Sequence, residues 1–162
     1  MKSTLTLAGL LACSSALAAD QPVTFTAQVV AEIPASSFNG QYFVPGVEIN
    51  GETRITLNYA PRYFYVDPLS SHLVMILESG ESAGCAYIDT SDKGILKFSK
   101  DPDAHDYGLF AVGPDYGELS LRGASDKWFW CPDGQVNGTV AIGTVAPGGC
   151  TQLKAVQTGA TD

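Results

Sequence analysis

The segment Arg54-Ile55-Thr56-Leu57-Asn58-Tyr59 alternates polar and apolar side chains along its whole length. In an extended chain successive side chains point to opposite faces, so Ile55, Leu57 and Tyr59 fall on one face. An apolar period of two indicates a β-strand with one buried face, whereas a helix would repeat every three to four residues. We therefore predict a strand here, and it is the clearest such pattern in the chain.

Short segments of similar character recur on both sides of it. They are rich in β-branched and aromatic residues and are separated by turn formers such as Asn39-Gly40, Asn50-Gly51 and Pro132-Asp133-Gly134. Beyond residue 18 no segment carries a sustained helical apolar period. The strand candidates are 23–30, 42–44, 54–59, 63–66, 73–77, 85–89, 95–98, 109–112, 118–121, 127–130, 139–142 and 152–156.

Strands of about five residues that recur every 8–12 residues are typical of sandwiches and barrels. We predict an all-β fold, a compact antiparallel β-sandwich or barrel of about ten to twelve short strands. The number of strands also suits a β-trefoil, although the sequence shows no clean threefold repeat.

The first eighteen residues have the pattern of a cleavable signal peptide. Lys2 supplies a positive charge, an apolar run follows from Leu5 to Ala12, and Ala16-Leu17-Ala18 is a small-x-small cleavage site. The apolar run is shorter than the roughly 20 residues that span a bilayer. We predict a signal peptide over 1–18 and a single secreted β domain over 19–162, located outside the cell or in a cell wall.

The charge balance disfavours several partners. The 162-residue chain has 9 basic and 17 acidic residues, a formal net charge of −8, which becomes −9 when Lys2 leaves. Such a chain is repelled by nucleic acids and anionic membranes. We expect no nucleic-acid partner, no membrane span and no cofactor. A cell-wall polysaccharide or a surface protein remains as a partner, and the oligomeric state stays open.

Cysteines report the redox compartment. Cys13 would leave with the signal peptide, so Cys85, Cys131 and Cys150 remain in an oxidising environment. Cys131 and Cys150 close a short glycine-rich loop, and we predict that they form a disulfide worth roughly 3 kcal/mol in the chain-entropy model. Cys85 lies in an apolar segment, which favours a buried free thiol.

One motif suggests a hydrolase. Gly80-Glu81-Ser82-Ala83-Gly84 matches the Gly-x-Ser-x-Gly nucleophile elbow, in which a sharp strand-to-helix turn exposes the serine. Here the next residues read as a strand, and His105 follows too soon for a hydrolase sheet. A turn between two strands is the favoured interpretation, so we predict no enzyme and no catalytic residue, with a small secreted serine hydrolase as a remote alternative.

Other polar residues give weaker patterns. The acids between Asp101 and Asp106 could hold Ca²⁺, but they lack the glycine and the closing glutamate of an EF-hand loop. His72 and His105 alone make no zinc site. Nothing selects a catalytic pair among the glutamates. We predict no metal. These glutamates are Glu48, Glu52, Glu78, Glu81 and Glu118.

Aromatic side chains suggest carbohydrate binding instead. In a strand Trp128 and Trp130 face one side and Phe129 the other. Exposed indoles could stack on sugar rings, as could Tyr63 and Tyr65, whereas the alternative interpretation packs them into the core.

The sequence also contains one N-glycosylation sequon. Asn137-Gly138-Thr139 lies in the glycine-rich stretch between Cys131 and Cys150. We predict that Asn137 carries an N-glycan if the source is eukaryotic.

Together these features resemble a known family. Tyr63-Phe64-Tyr65-Val66-Asp67, Gly117-Glu118-Leu119 and Trp128-Phe129-Trp130-Cys131-Pro132, with a later Gly149-Cys150, resemble small secreted fungal cell-wall proteins of the phialide-associated type. The resemblance covers about Tyr63 to Val156. It implies a secreted, non-catalytic, wall- or surface-associated protein with no catalytic residues to assign. A lectin-like carbohydrate-binding module and a host-directed effector are the alternatives.

Overall fold

A computed structural model describes residues 22–32, 36–101, 103, 105–115, 117–122, 127–133 and 136–160. The predicted signal peptide lies outside these residues. Those that are described form twelve β-strands and no helix, which confirms the all-β prediction and the expected number of strands. The strands are β1 Phe25–Ala31, β2 Tyr42–Ile49, β3 Glu52–Asn58, β4 Tyr63–Val66, β5 Leu73–Ile76, β6 Ser82–Asp89, β7 Ile95–Ser99, β8 Phe110–Val112, β9 Leu119–Leu121, β10 Lys127–Asp133, β11 Val136–Gly143 and β12 Thr151–Ala160.

Ten of the strands form one antiparallel sheet, in the order β11-β10-β12-β1-β2-β3-β7-β6-β5-β4. Strands β8 and β9 form a two-stranded ribbon. Two further pairings, β1 with β4 and β7 with β11, join strands that are distant in this order. The sheet therefore curls back on itself, as a barrel does.

Six strands close a ring. β1 pairs with β4, β4 with β5, β8 with β9, and β12 with β1. Two isolated bridges, His72 with Leu109 and Glu118 with Gln157, complete it by joining the start of β5 to β8 and the start of β9 to β12. The result is a six-stranded barrel of β1, β4, β5, β8, β9 and β12.

The other six strands form three hairpins, β2–β3, β6–β7 and β10–β11. The pairings β3–β7 and β7–β11 join these hairpins to one another. The pattern repeats every four strands, giving unit 1 (25–66), unit 2 (73–112) and unit 3 (119–160). A six-stranded barrel with three hairpins is the β-trefoil arrangement, the alternative that the sequence left open.

The barrel encloses the main hydrophobic core. Phe25, Ala27 and Val29 alternate with half-buried residues along β1, as the period of two requires. Ile55 and Leu57 are buried as the sequence predicted. Tyr59, expected on the same face, is 65% exposed because β3 ends at Asn58 and the chain turns away. The largest fully buried side chains are Phe43, Phe64, Phe98, Phe110 and Phe129.

Candidate functional site

The two tryptophans of β10 have different environments. They point to the same side of the strand and Phe129 to the other, as predicted. Trp128 is only 5% exposed, its Nε1 donates a hydrogen bond to the Leu119 carbonyl at 3.1 Å, and its ring packs edge-on against Phe43. Trp128 therefore belongs to the core and is not available to stack on a sugar, which corrects its prediction as a candidate sugar-stacking residue.

Trp130, two residues further along, reaches the edge of the core and is half-buried. Its ring stacks on Phe38, with centroids 5.5 Å apart and planes 18° from parallel. Gly138 of β11 packs against the same indole so closely that a Cβ there would lie 2.5 Å from Nε1 and Cε2. The indole is thus held in a fixed orientation by contacts from two different segments.

An open groove of about 360 Å³ lies beside Trp130. Three segments form it: the β1–β2 loop, the end of β3 and the middle of β10. We call it the aromatic groove, because three of its side chains are aromatic and two of the others are amides. Its lining residues are Ser37, Phe38, Gln41, Leu57, Asn58, Tyr59 and Trp130.

Hydrogen bonds fix the β1–β2 loop that carries Phe38. The backbone N–H of Ala31 donates to Asn39 Oδ1 at 2.9 Å, and Gln28 Nε2 donates to the Gly40 carbonyl at 3.0 Å. Within the groove, the Tyr59 hydroxyl and Gln41 Nε2 both donate to the Ser37 carbonyl, at 3.2 and 2.8 Å. A ligand would meet side chains that are already positioned, which lowers the entropic cost of binding.

Tyr63 and Tyr65 lie elsewhere. Both are on β4, where Tyr63 is 47% exposed and Tyr65 is half-buried. Burial, and secondarily the charge of Asp67, raises the pKa of the Tyr65 hydroxyl. Neither ring lines the aromatic groove, so the structure does not bring these two tyrosines together with Trp130.

A second cleft lies in a related place in the next unit. It has a volume of about 290 Å³ and is formed by the β2–β3 turn, the β5–β6 loop and the end of β7. The β5–β6 loop and the end of β7 are the counterparts, one unit on, of the β1–β2 loop and the end of β3, whereas the β2–β3 turn takes the side that the middle of β10 forms in the aromatic groove. We call it the charged cleft, and none of the described residues that line it is aromatic. Its lining residues are Glu48, Asn50, Gly51, Thr53, Leu77, Ala83, Ser99, Lys100 and Asp101.

An ion-pair network surrounds Lys97 on the far side of β7 from the core. Lys97 is only 7% exposed and forms ion pairs with Asp89, Glu52 and Asp92. The hydrogen bond from Lys97, with another from Ser91, lowers the pKa of Asp89 to about 2. The network continues through Arg54, which pairs with Asp92 at 3.0 Å and with Asp133 at 3.3 Å.

His105 joins this network from the β7–β8 loop. Its Nε2 lies 3.0 Å from Glu52 Oε1, and its ring stacks parallel to that of Tyr87 at 3.7 Å. Burial, together with a hydrogen bond to Glu52, raises the pKa of Tyr87 far above its usual value. Because charged groups here are paired with one another, the arrangement fits a structural clasp better than a reactive site.

The Gly-x-Ser-x-Gly motif lies at a close approach of two strands. Ser82 begins β6, so a strand follows it where a nucleophile elbow has a helix. The Ser82 Oγ accepts a hydrogen bond from the Gly84 N–H at 2.9 Å. Gly84 has φ +105°, and a Cβ there would lie 2.0 Å from the Ser99 carbonyl. The second glycine of the motif is therefore required by backbone packing.

The cysteines confirm one prediction and correct another. Cys131 and Cys150 form the expected disulfide, which ties β10 to the start of β12. Cys85 is 1% exposed as expected, but the prediction of a free thiol is wrong for the full 162-residue chain, in which Cys85 is disulfide-bonded. Removing Cys13 with the signal peptide leaves the sequence no partner to offer Cys85, so the free thiol applies only to a chain cleaved after Ala18.

Two remaining candidates, Asn137 and the acidic loop, give no site geometry. Asn137 lies in β11 but its side chain is outside what the structure describes. In the loop from Asp101 to Asp106, Pro102 and Ala104 are likewise outside. Within the described residues no group of three or more His, Cys, Asp or Glu side chains is arranged to hold a metal ion. The same residues include no helix with the length and apolar character needed to cross a membrane.

The chain matches no protein-family model, no curated protein and no solved structure. No matched protein therefore supplies a function for this chain.

Proposed function

We propose that this is a secreted, non-catalytic protein that adheres to a cell wall or surface by binding a polysaccharide in the aromatic groove. The observation that supports this most directly is the grouping of Phe38, Tyr59 and Trp130 around one open groove. Aromatic faces supply apolar area with few rotatable bonds, which suits the flat apolar faces of sugar rings.

Polar groups in the same groove suit sugar hydroxyls. Gln41 and Asn58 contribute side-chain amides, each with donors and an acceptor, and Ser37 contributes a hydroxyl. Ligand sites commonly combine an apolar lining with a few placed polar groups that fix orientation. The resemblance to phialide-associated wall proteins points to the same role.

The first test is a pull-down of the purified secreted protein on insoluble chitin, β-glucan and cellulose. We expect saturable binding to at least one of them. Replacing Tyr59 by Ala should weaken it about tenfold or more, since truncating a central aromatic anchor costs over 1 kcal/mol. The matched control is Tyr63→Ala, the same change at an exposed tyrosine outside the groove, which should bind like the wild type.

Tryptophan fluorescence gives an independent reading of the same event. Trp128 is buried and should not respond to ligand, so any spectral shift on adding soluble oligosaccharide must come from Trp130. The shift should disappear in Trp130→Phe and persist in Trp128→Phe. If no polymer binds, and both indoles are inaccessible to quenchers, the groove does not bind polysaccharide and the proposal fails.

Secretion itself has a direct test. We expect the exported protein to begin at Ala19 or Asp20 when its N-terminus is sequenced, because Ala16-Leu17-Ala18 is the small-x-small cleavage site. An N-terminus that still includes Lys2 on protein recovered from the medium would contradict the signal-peptide assignment.

A further inference from the structure

We infer that the ligand of the aromatic groove is an uncharged glycan chain and that polyanionic polysaccharides are excluded from it. The inference rests on the proposed function and specifies the ligand class of the same groove. It comes from the side chains that line the aromatic groove and the charged cleft and from the net charge of the chain.

None of the described residues that line the aromatic groove has a charged side chain. In the charged cleft, the end of β7, which is the counterpart of the end of β3, carries Lys100 and Asp101. The backbone at such a strand end therefore accommodates charged side chains, and the neutral lining of the aromatic groove is a property of its own residues. A carboxylate or sulfate on a bound glycan would lose water there without gaining a cationic partner, which is costly.

The charge of the whole chain acts in the same direction. At −8, or −9 without Lys2, the protein repels a polyanion before contact. A neutral chain pays neither cost. It can place a ring face on Tyr59, which is 65% exposed, beside Trp130, and hydrogen-bond its hydroxyl or acetamido groups to Gln41 and Asn58. Its binding should consequently be almost independent of salt.

The experiment titrates the protein with neutral chitin, β-glucan and cellulose derivatives and with the carboxymethyl derivative of each, at about 10 mM and about 1 M salt. We expect a neutral polymer to bind equally at both salt concentrations. Its carboxymethyl form should bind at least tenfold more weakly at low salt.

The outcomes separate the two proposals. If neither a neutral nor an anionic polymer binds, the proposed function fails. If a carboxymethyl polymer binds as tightly as its neutral parent, or more tightly, polysaccharide binding stands and the inference about charge is overturned.

A charge placed in the groove provides a second test. Asn58 is exposed at the groove, so the Asn58→Lys variant should fold normally. It should bind the carboxymethyl polymer more tightly than the wild type does at low salt, and this gain should disappear at high salt. Thr90→Lys adds the same charge at an exposed turn outside the groove and should gain nothing. An equal gain in both variants would show that net charge alone excludes the polyanion and would overturn the role given to the groove.

Discussion

The aromatic groove and the charged cleft are each built on a counterpart loop and strand end of successive units, yet their side chains differ throughout. The groove presents Phe38, Tyr59 and Trp130, while the cleft presents Glu48, Lys100 and Asp101. The same barrel and hairpins position both. The difference shows that the fold supplies a repeated concavity and that individual side chains decide what each one can bind.

The two sites also depend differently on glycine. Gly84 lies beside the backbone of Ser99, a residue of the charged cleft, and Gly138 lies beside the indole of Trp130 in the aromatic groove. At Gly84 the obstacle to a side chain is a carbonyl in a paired strand, which cannot move without breaking the sheet. At Gly138 the obstacle is the indole of Trp130, a side chain that could shift but would lose its stacking on Phe38.

These glycines give the largest expected effects. Gly84→Ala should destabilise the protein by about 3 kcal/mol or more, because a positive φ and a backbone clash act together. Gly138→Ala should cost about 1–3 kcal/mol and should weaken glycan binding more than Gly84→Ala does, since Trp130 must move. Urea denaturation and the pull-down measure the two effects.

Gly51→Ala is the matched control. Its φ is +80° but no atom lies within 4 Å of the added Cβ, so it should cost only the strain of the backbone, about 1 kcal/mol. If Gly84→Ala is no worse than Gly51→Ala, the close approach of β6 to β7 is not what requires the glycine. If Gly138→Ala leaves binding intact, the position of Trp130 does not matter to the groove.

Much of the fold could be predicted from the sequence because it depends on local patterns. The alternation around Ile55 and Leu57, the Asn50-Gly51 turn and the Cys131–Cys150 spacing each report a short-range constraint that the structure confirms. The threefold arrangement could not, because it depends on which strands pair. Its closing contacts include single bridges such as His72 with Leu109, which leave no pattern in the sequence.

The groove was missed for a related reason. Alternation along β10 placed Trp128 and Trp130 on one face, but it cannot show that Leu119 and Phe43 cover only the first. Phe38 lies in the β1–β2 loop and Tyr59 directly follows β3, and their approach to Trp130 follows from tertiary packing. The one local signal in the sequence is that Phe38 and Tyr59 are aromatic residues at turns, outside the buried part of any strand.

The smallest expected effect tests whether the ion-pair network and the groove are independent. The pKa of Asp89 is lowered from 3.8 to about 2 in the folded protein. A lowered pKa means that the folded state binds the proton less readily than the unfolded state. The stabilisation is therefore complete above about pH 4 and is lost as the pH falls toward 2. In Asp89→Asn the loss of unfolding free energy between about pH 4 and pH 2 should be smaller by this contribution, as urea denaturation at each pH would show. In Asp106→Asn, which changes an exposed aspartate outside the network, the unfolding free energy should fall with pH as in the wild type.

The affinity of the folded protein for glycan should not follow the pH dependence of its stability. The described residues that line the groove include no carboxylate, and the network lies on the far side of β7 from the core. Between pH 7 and pH 4, affinity should be constant in the wild type and in Asp89→Asn, even though the variant is less stable. A loss of affinity that accompanies the loss of stability in Asp89→Asn would mean that the ion-pair network around Lys97 maintains the conformation of the groove. The two regions would then be energetically coupled.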